Sequence, residues 1–171
     1  MPSIVRKLIF YPNDILRTNC KEVNEINEDI KLLISDMFEC IKTFNAVGVS
    51  APQLNIDKRI AVAKIGSEEF VLINPIILES KGEMLSTEGC LSFPDILIDT
   101  VRPEYLKIRS LDLEGNEKEF DVQGIYANVL SHEIDHLNGR LFIDDLSLLK
   151  KDVIKRKMLK FTRKFLGKRK L

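Results

Sequence analysis

The sequence predicts an α+β fold in which mixed or antiparallel strands surround a central helix and a further helix follows at the C-terminal end. Two β-rich hairpin patterns, at residues 59–77 and 104–122, provide strands. Three stretches with apolar residues at helical spacing, at 27–41, 124–137 and 146–166, provide helices. The 171 residues suffice for one well-formed core and are too few for two, so we expect a single domain.

The first helix is predicted to begin after Asn27, a residue type that caps helix N-termini well. Apolar side chains then recur three, four, seven, eight and eleven residues after Ile30, which predicts an amphipathic helix packed on the core. The next segment, 45–54, is small and kinked around Gly48 and Pro52. Taken alone, it is typical of a connection between a helix and a strand.

Each predicted hairpin consists of two β-rich runs around a turn. The first pairs 59–64 with 69–77 and is expected to be interrupted at Pro75, which has no backbone N–H to donate. The second pairs 105–113 with 118–122. Both patterns predict antiparallel pairing.

An extended segment, 83–94, lies between the hairpins and contains Cys90. Gly89 gives a flexible approach to the cysteine, and Pro94 is expected to end the segment. Cys90 is either a metal ligand or a buried structural thiol, and both interpretations remain open on this evidence alone. Cys40, inside the first helix, is expected to be a packing or surface residue.

The central helix, about 124–137, carries the chain's two histidines, His132 and His136. Their spacing of four places both imidazoles on one helix face, and Glu133 completes a His-Glu-x-x-His pattern. In that pattern the histidines hold a metal, while the glutamate handles protons for a metal-bound water. The alternative is a pair of surface histidines beside a surface acid. The histidines continue an apolar stripe with Ile125 and Val129, which favours the metal site.

The composition of the chain indicates the cellular compartment in which we expect the protein. Three cysteines at irregular spacing argue against a disulfide framework and suit a reducing environment. No apolar run approaches the length needed to cross a bilayer, and the first residues lack the apolar core of a secretory signal. We therefore expect a cytoplasmic protein without a membrane partner.

Charge is divided along the chain although the formal net charge is zero. Residues 150–171 hold 11 Lys/Arg and one acid, a balance of +10, so residues 1–149 carry −10. We predict a catalytic metallohydrolase domain over 1–149 and a basic C-terminal helix or tail of the same domain over 150–171. The end of this tail is denser in positive charge than packing requires, which suggests contact with ribosomal RNA.

Three collinear segments resemble the motifs of the peptide deformylases. They are Gly48-Val49-Ser50-Ala51-Pro52-Gln53, Glu88-Gly89-Cys90-Leu91-Ser92 and His132-Glu133-Ile134-Asp135-His136-Leu137. The resemblance covers about residues 1–150. It implies a metal-dependent hydrolase that removes the N-formyl group from the initiator methionine of nascent polypeptides and releases formate.

The resemblance also implies roles for particular residues. Cys90, His132 and His136 would bind one divalent metal, Fe²⁺ in the native enzyme or Zn²⁺, Ni²⁺ or Co²⁺ in its place. Glu133 would act as general base and acid, while the Gln53 side chain and the Leu91 N–H would stabilise the oxyanion.

The peptide is expected to add as a strand to exposed backbone and to place its methionine in an apolar slot. The predicted substrate-binding residues are Val47, Gly48, Gly89, Ile125 and Val129. Glu88 and Asp135 are either held by Arg102 behind the site or solvated at the surface.

The sequence departs from the family's usual residues at Ala46, Ser50, Leu97, Asn128 and Ser131. None of these removes a metal ligand, the base or Gln53. Two other classes stay open: a His-Glu-x-x-His metallopeptidase, and an inactive RNA- or ribosome-binding relative whose tail carries the function.

Overall fold

The structure is a computed structural model that describes residues 7–167. The α+β prediction is confirmed. The helices are α1 (Glu28–Phe44), α2 (Ile125–Leu137) and α3 (Leu148–Gly167). The strands are β1 (Gly48–Ser50), β2 (Ile60–Ile65), β3 (Glu68–Lys81), β4 (Met84–Cys90), β5 (Phe93–Arg102), β6 (Tyr105–Leu111) and β7 (Glu117–Gln123).

The strands form two antiparallel sheets, one of five strands in the order β1-β2-β3-β6-β7 and one of two, β4-β5. Helix α2 contacts β1, β2 and β7 of the larger sheet and also contacts β5 of the smaller one. The helix with the His-Glu-x-x-His pattern is therefore central, as the sequence predicted.

Alternation along β2 explains why both faces of the larger sheet are covered. Ile60 and Val62 pack into a core with α1, whereas Ala61 and Ala63 pack into a core with α2. Successive side chains of a strand point to opposite faces, so one strand supplies both layers. The small alanines leave room for α2 close to the sheet.

Helix boundaries follow the predicted caps. The Asn27 side chain accepts a hydrogen bond from the Ile30 N–H at 3.1 Å, and Asn45 ends α1 with a φ of 51°. Gly124, with a φ of 58°, precedes α2, and Gly139 follows it with a φ of 69°. Positive φ at these glycines turns the chain abruptly at both ends of the central helix.

The predicted interruption at Pro75 is a register shift between Ile73 and Ile76, which places the residue without an N–H outside the ladder, and β3 continues beyond it. The prediction that Pro94 ends its segment was wrong: Pro94 lies within β5, in which Phe93 and residues 97–102 pair with β4 on either side of a register shift. The β5 strand was absent from the sequence prediction.

A third core cluster joins the N-terminal segment, β5 and α3. Leu16, Phe93 and Met158 are fully buried within it. Phe10 packs edge-on against Phe161 of α3 with ring centroids 5.3 Å apart. No helix within residues 7–167 is long and apolar enough to cross a membrane.

Candidate metal centre and catalytic site

His132 and His136 lie one turn apart on α2, with ring centroids 4.9 Å apart. Both are buried, because α2 runs between the two sheets. Cys90 is the last residue of β4, and a two-residue turn leads from it into β5. The Cys90 Sγ lies 3.3 Å from His136 Nε2. The end of strand β4 and the C-terminal half of α2 thus meet at one point.

The three side chains fit a metal ion. One ligand atom from each of Cys90, His132 and His136 lies within 4.8 Å of the others. Burial lowers the pKa of His136 well below its usual range, so its imidazole is neutral, as a metal ligand must be. Two nitrogens and one sulfur leave a fourth tetrahedral position open, which is the donor set of a hydrolytic metal site.

His132 is oriented from behind by a carboxylate. Its Nδ1 lies 2.8 Å from Glu88 Oε2, which leaves Nε2 for the metal. Arg102 donates to both oxygens of Glu88, at 2.6 and 2.9 Å, and to Asp135 Oδ2 at 2.5 Å. Of the two interpretations of Glu88 and Asp135, the structure therefore shows the one in which Arg102 holds both.

Glu88 remains ionised although it is buried. Burial alone would raise the pKa of its carboxyl, but hydrogen bonds from His132, Arg102 and Thr100 outweigh burial and lower it. A charged carboxylate in this position makes the imidazole of His132 a better electron donor.

Glu133 follows His132 on α2, lines the same cavity as that histidine and is 4% exposed. Burial raises the pKa of its carboxyl to about 7. Its Oε2 is buried and has no hydrogen-bond partner among residues 7–167. Gly48 lies directly against it, and a Cβ at that glycine would overlap the carboxylate. The free oxygen and the tuned pKa suit a group that exchanges protons with a bound water.

Gln53 is held by hydrogen bonds at both ends of its amide. Its Oε1 accepts from the Ser50 N–H at 2.9 Å and from the Ser50 hydroxyl at 3.0 Å. Its Nε2 donates to Cys90 Sγ at 3.4 Å and to Ser92 Oγ at 3.2 Å. The amide N–H groups therefore point to the sulfur side of the centre. Leu91 lies in the turn that follows Cys90.

A cavity of about 980 Å³ opens onto this centre. All five predicted substrate-binding residues line it, and so do Gln53, Cys90, Leu91, His132 and Glu133. Val47 and Ile125 are each 54% exposed at its mouth, whereas Val129 is buried. His136, which is 1% exposed, is absent from the lining residues. The predicted site residues are thus brought together, and their individual roles stay predictions.

Several site features were not predicted from the sequence. Ser50 and Ser92 hold Gln53, and the spacing Ser50-x-x-Gln53 is a capping-box pattern that could have indicated the first contact. Phe161 and Phe165 of α3 also line the cavity, which no local signal indicated. Ser131 also finds a place: its hydroxyl donates to the Asn128 carbonyl at 2.8 Å inside α2.

The fold and this centre define a metal-dependent hydrolase with a Cys-His-His donor set and a His-Glu-x-x-His helix. The profile of the polypeptide deformylase family matches residues 5–152, and the chain therefore belongs to that family. A peptide deformylase of Acidobacterium capsulatum is 38% identical over 165 residues, covering 94% of this chain and 97% of the relative. Peptide deformylase 1 of Clostridium perfringens is 45% identical over 142 residues, covering 82% and 97%.

Solved structures agree. The crystal structure of a peptide deformylase from Legionella pneumophila matches with a TM-score of 0.88 and 39% identity, covering 94% of this chain and 96% of that one. The Ehrlichia chaffeensis peptide deformylase in complex with actinonin matches with a TM-score of 0.89 and 33% identity, covering 92% and 98%. This chain is accordingly an enzyme that removes the N-formyl group from nascent polypeptides, and the metallopeptidase and inactive-relative alternatives are disfavoured.

Proposed function

We propose that Cys90, His132 and His136 hold one divalent metal ion and that the deformylation takes place beside it. The observation that carries this proposal is the convergence of the three donor atoms within 4.8 Å, next to a buried carboxylate oxygen that has no partner among the described residues. We further propose Fe²⁺ as the native metal, with Zn²⁺, Ni²⁺ or Co²⁺ able to replace it. A thiolate with two imidazoles accommodates each of these ions.

When bound, the metal would supply Lewis acidity and lower the pKa of a water molecule. Glu133 takes the proton from the attacking water and delivers it to the amine that leaves as the formyl C–N bond breaks. Burial raises the pKa of the Glu133 carboxyl to about 7, close to neutral pH, which suits a group that both accepts and donates a proton.

The oxygen of the formyl group gains negative charge as water adds to the carbon. We assign its stabilisation to the Gln53 amide and the Leu91 N–H. Gln53 supports this role because its amide orientation is set before substrate binds, and a donor that is already oriented costs no reorganisation during the reaction. Leu91 supports it because it directly follows Cys90 in the turn to β5 and lines the same cavity.

Substrate binding is assigned to the cavity mouth. Gly48 and Gly89 offer backbone groups to an extended peptide, and neither glycine has a side chain to hinder its approach. Val47, Ile125 and Val129 supply an apolar lining for the methionine thioether. We propose a cytoplasmic location, where new chains are synthesised.

One assay tests the catalytic proposal. Anaerobically purified protein is incubated with a formyl-Met dipeptide, and formate release is measured together with the metal content. Formate release with one equivalent of metal supports the proposal. Peptide cleavage without formate would indicate a metallopeptidase, and the absence of both products would indicate an inactive relative.

The basic tail is assigned a second role. We propose that residues 150–171 belong to the same domain as the catalytic part, 1–149, and contact ribosomal RNA. Exposed Lys and Arg along α3 support the proposal, and residues 168–171 lie outside the described part of the chain. Such contacts would weaken with salt. A chain that ends after Arg163 should lose ribosome co-sedimentation at low salt, and unchanged co-sedimentation would end this assignment.

A further inference from the structure

Ser50 lies between the two side chains to which we assign the proton transfer and the oxyanion contact. It ends β1 and is fully buried. Its hydroxyl donates to the Oε1 of Gln53 at 3.0 Å and lies beside the carboxyl group of Glu133.

Gln53 Oε1 does not need the hydroxyl for satisfaction, because the Ser50 N–H already donates to it at 2.9 Å. The second bond fixes the amide more tightly, since two donors from one residue hold a single oxygen. With Oε1 held there, the Nε2 protons face Cys90 Sγ and Ser92 Oγ. The hydroxyl has one proton, which it donates to Gln53 Oε1, so it bonds Glu133 by accepting the proton that this carboxyl carries when it is protonated.

We propose that Ser50 is a positioning residue that fixes the Gln53 amide relative to the Glu133 carboxylate. The inference rests on the proposed function, in which those two groups contact the reacting formyl amide. Ser50 itself is not among the residues that line the cavity, so it acts through its neighbours. Loss of the hydroxyl should therefore slow turnover and leave substrate binding nearly unchanged.

The test compares Ser50→Ala with Ser131→Ala. Both variants remove one buried serine hydroxyl close to the site, but the Ser131 hydroxyl donates to the Asn128 carbonyl within α2. We expect kcat on a formyl-Met dipeptide to fall about fivefold in Ser50→Ala, the value of one ordinary hydrogen bond, while KM changes less than about twofold. Ser131→Ala should keep the wild-type kcat. Equal kcat values in the two variants would overturn the proposal.

A second readout does not depend on activity. In the zinc-loaded protein, the side-chain ¹⁵N–¹H signals of Gln53 report how its amide is held. Ser50→Ala should shift these signals, and Ser131→Ala should leave them in place. Unshifted signals in Ser50→Ala would show that the hydroxyl does not orient the amide.

Replacing Ser50 in the Gln53→Ala variant distinguishes the proposal on Ser50 from the oxyanion role assigned to Gln53. If Ser50 acts through Gln53, its replacement should cost less than about twofold in kcat once the amide is gone, because coupled residues are not additive. A persisting fivefold loss in this background would overturn the proposal. If Gln53→Ala keeps wild-type activity, the oxyanion assignment of Gln53 is wrong. If Gln53→Ala is slow but Ser50→Ala is fully active, only the inference on Ser50 is wrong.

Discussion

The central helix α2 and the last described helix α3 both show amphipathic patterns in the sequence, but they differ in which side chains are exposed. In α2, polar side chains are buried: His132, Glu133 and His136 are at most 8% exposed. In α3, apolar side chains are exposed: Leu148 is 84% exposed and Leu149 76%. A helical period shows which residues share a face, but it does not show whether that face meets a core, a substrate or water.

The difference lies in what the neighbouring elements supply. Each charge behind α2 finds a partner from another element, as Arg102 of β5 does for Glu88 of β4 and for Asp135. On α3 the ion pair between Arg156 and Asp152 is largely exposed and adds little stability. Single changes should therefore have large effects on activity around α2 and small effects on activity along α3.

The largest effect is expected for Glu133→Gln, which keeps the shape of the side chain and removes its ability to accept a proton. Turnover of a formyl-Met dipeptide should fall roughly 10²- to 10⁴-fold. Metal content, measured by atomic absorption, should remain at one equivalent because Glu133 is not a ligand. Glu117→Gln, an isosteric change at a side chain that is 61% exposed, is the control. Near wild-type turnover in Glu133→Gln would refute the assignment.

A smaller effect of a different kind is expected for Glu88→Gln. The amide cannot match the carboxylate that orients His132, and it leaves Arg102 with a weaker partner. Metal affinity, measured by chelator competition, should fall about 10- to 100-fold. Full metal affinity in this variant would contradict the role of Glu88. The two glutamate variants thus separate proton transfer from metal binding.

Acid unfolding of the metal-free protein gives a second test of the role of Glu88, again with the Glu88→Gln variant. Because the fold lowers the pKa of Glu88, its carboxylate stabilises the protein above the ordinary value of 4.5, and this contribution is lost as the pH falls below that value. The wild type should therefore lose stability between pH 5 and lower pH more steeply than Glu88→Gln, on the order of 1 kcal/mol or more. The free energy of unfolding is measured by urea unfolding at each pH. An equal loss in the wild type and in Glu88→Gln as the pH falls would contradict this expectation.

Features with a local cause were predictable from the sequence. The caps of α1 and the ends of α2 depend on single residues such as Asn27 and Gly139, and the four-residue spacing of the histidines needs only helical geometry. Family motifs supplied Cys90 and Gln53. Each of these signals lies within a few residues of the structure that it determines.

Features that depend on distant pairing were not predictable. Glu88 meets Arg102 because β4 and β5 pair antiparallel over a turn of two residues, and β5 itself lacks a clear apolar alternation. The path of β3 past Pro75 depends on Ser110 of β6, whose hydroxyl accepts the Ile73 N–H at 2.9 Å. Such contacts join residues that have no mutual signal in the sequence.

Cysteine alkylation compares the thiol that lines the cavity with the two thiols that are buried in the core. Cys20 and Cys40 are buried, and burial raises the pKa of Cys20 to about 11 and also raises that of Cys40, so both should resist iodoacetamide at pH 8. Cys90 lines the cavity. We expect the metal-free protein to take up about one alkyl group, at Cys90, and the zinc-loaded protein to react roughly tenfold more slowly. Mass spectrometry locates the label, and first labelling at Cys20 or Cys40 would contradict the assignment of Cys90.

The smallest effects on activity are expected along α3, where one buried position lies among exposed ones. Met158 is fully buried beside Phe93, whereas Val153 is 58% exposed. Met158→Ala should lower the free energy of unfolding by about 2–5 kcal/mol, because it leaves a cavity in the third core cluster. Val153→Ala should change it by less than about 0.5 kcal/mol. Dipeptide turnover at 25 °C should stay within twofold of wild type in both variants, because α3 supplies neither a ligand nor the base. A large loss of turnover in folded Met158→Ala would show that α3 shapes the catalytic centre and does not only line the cavity.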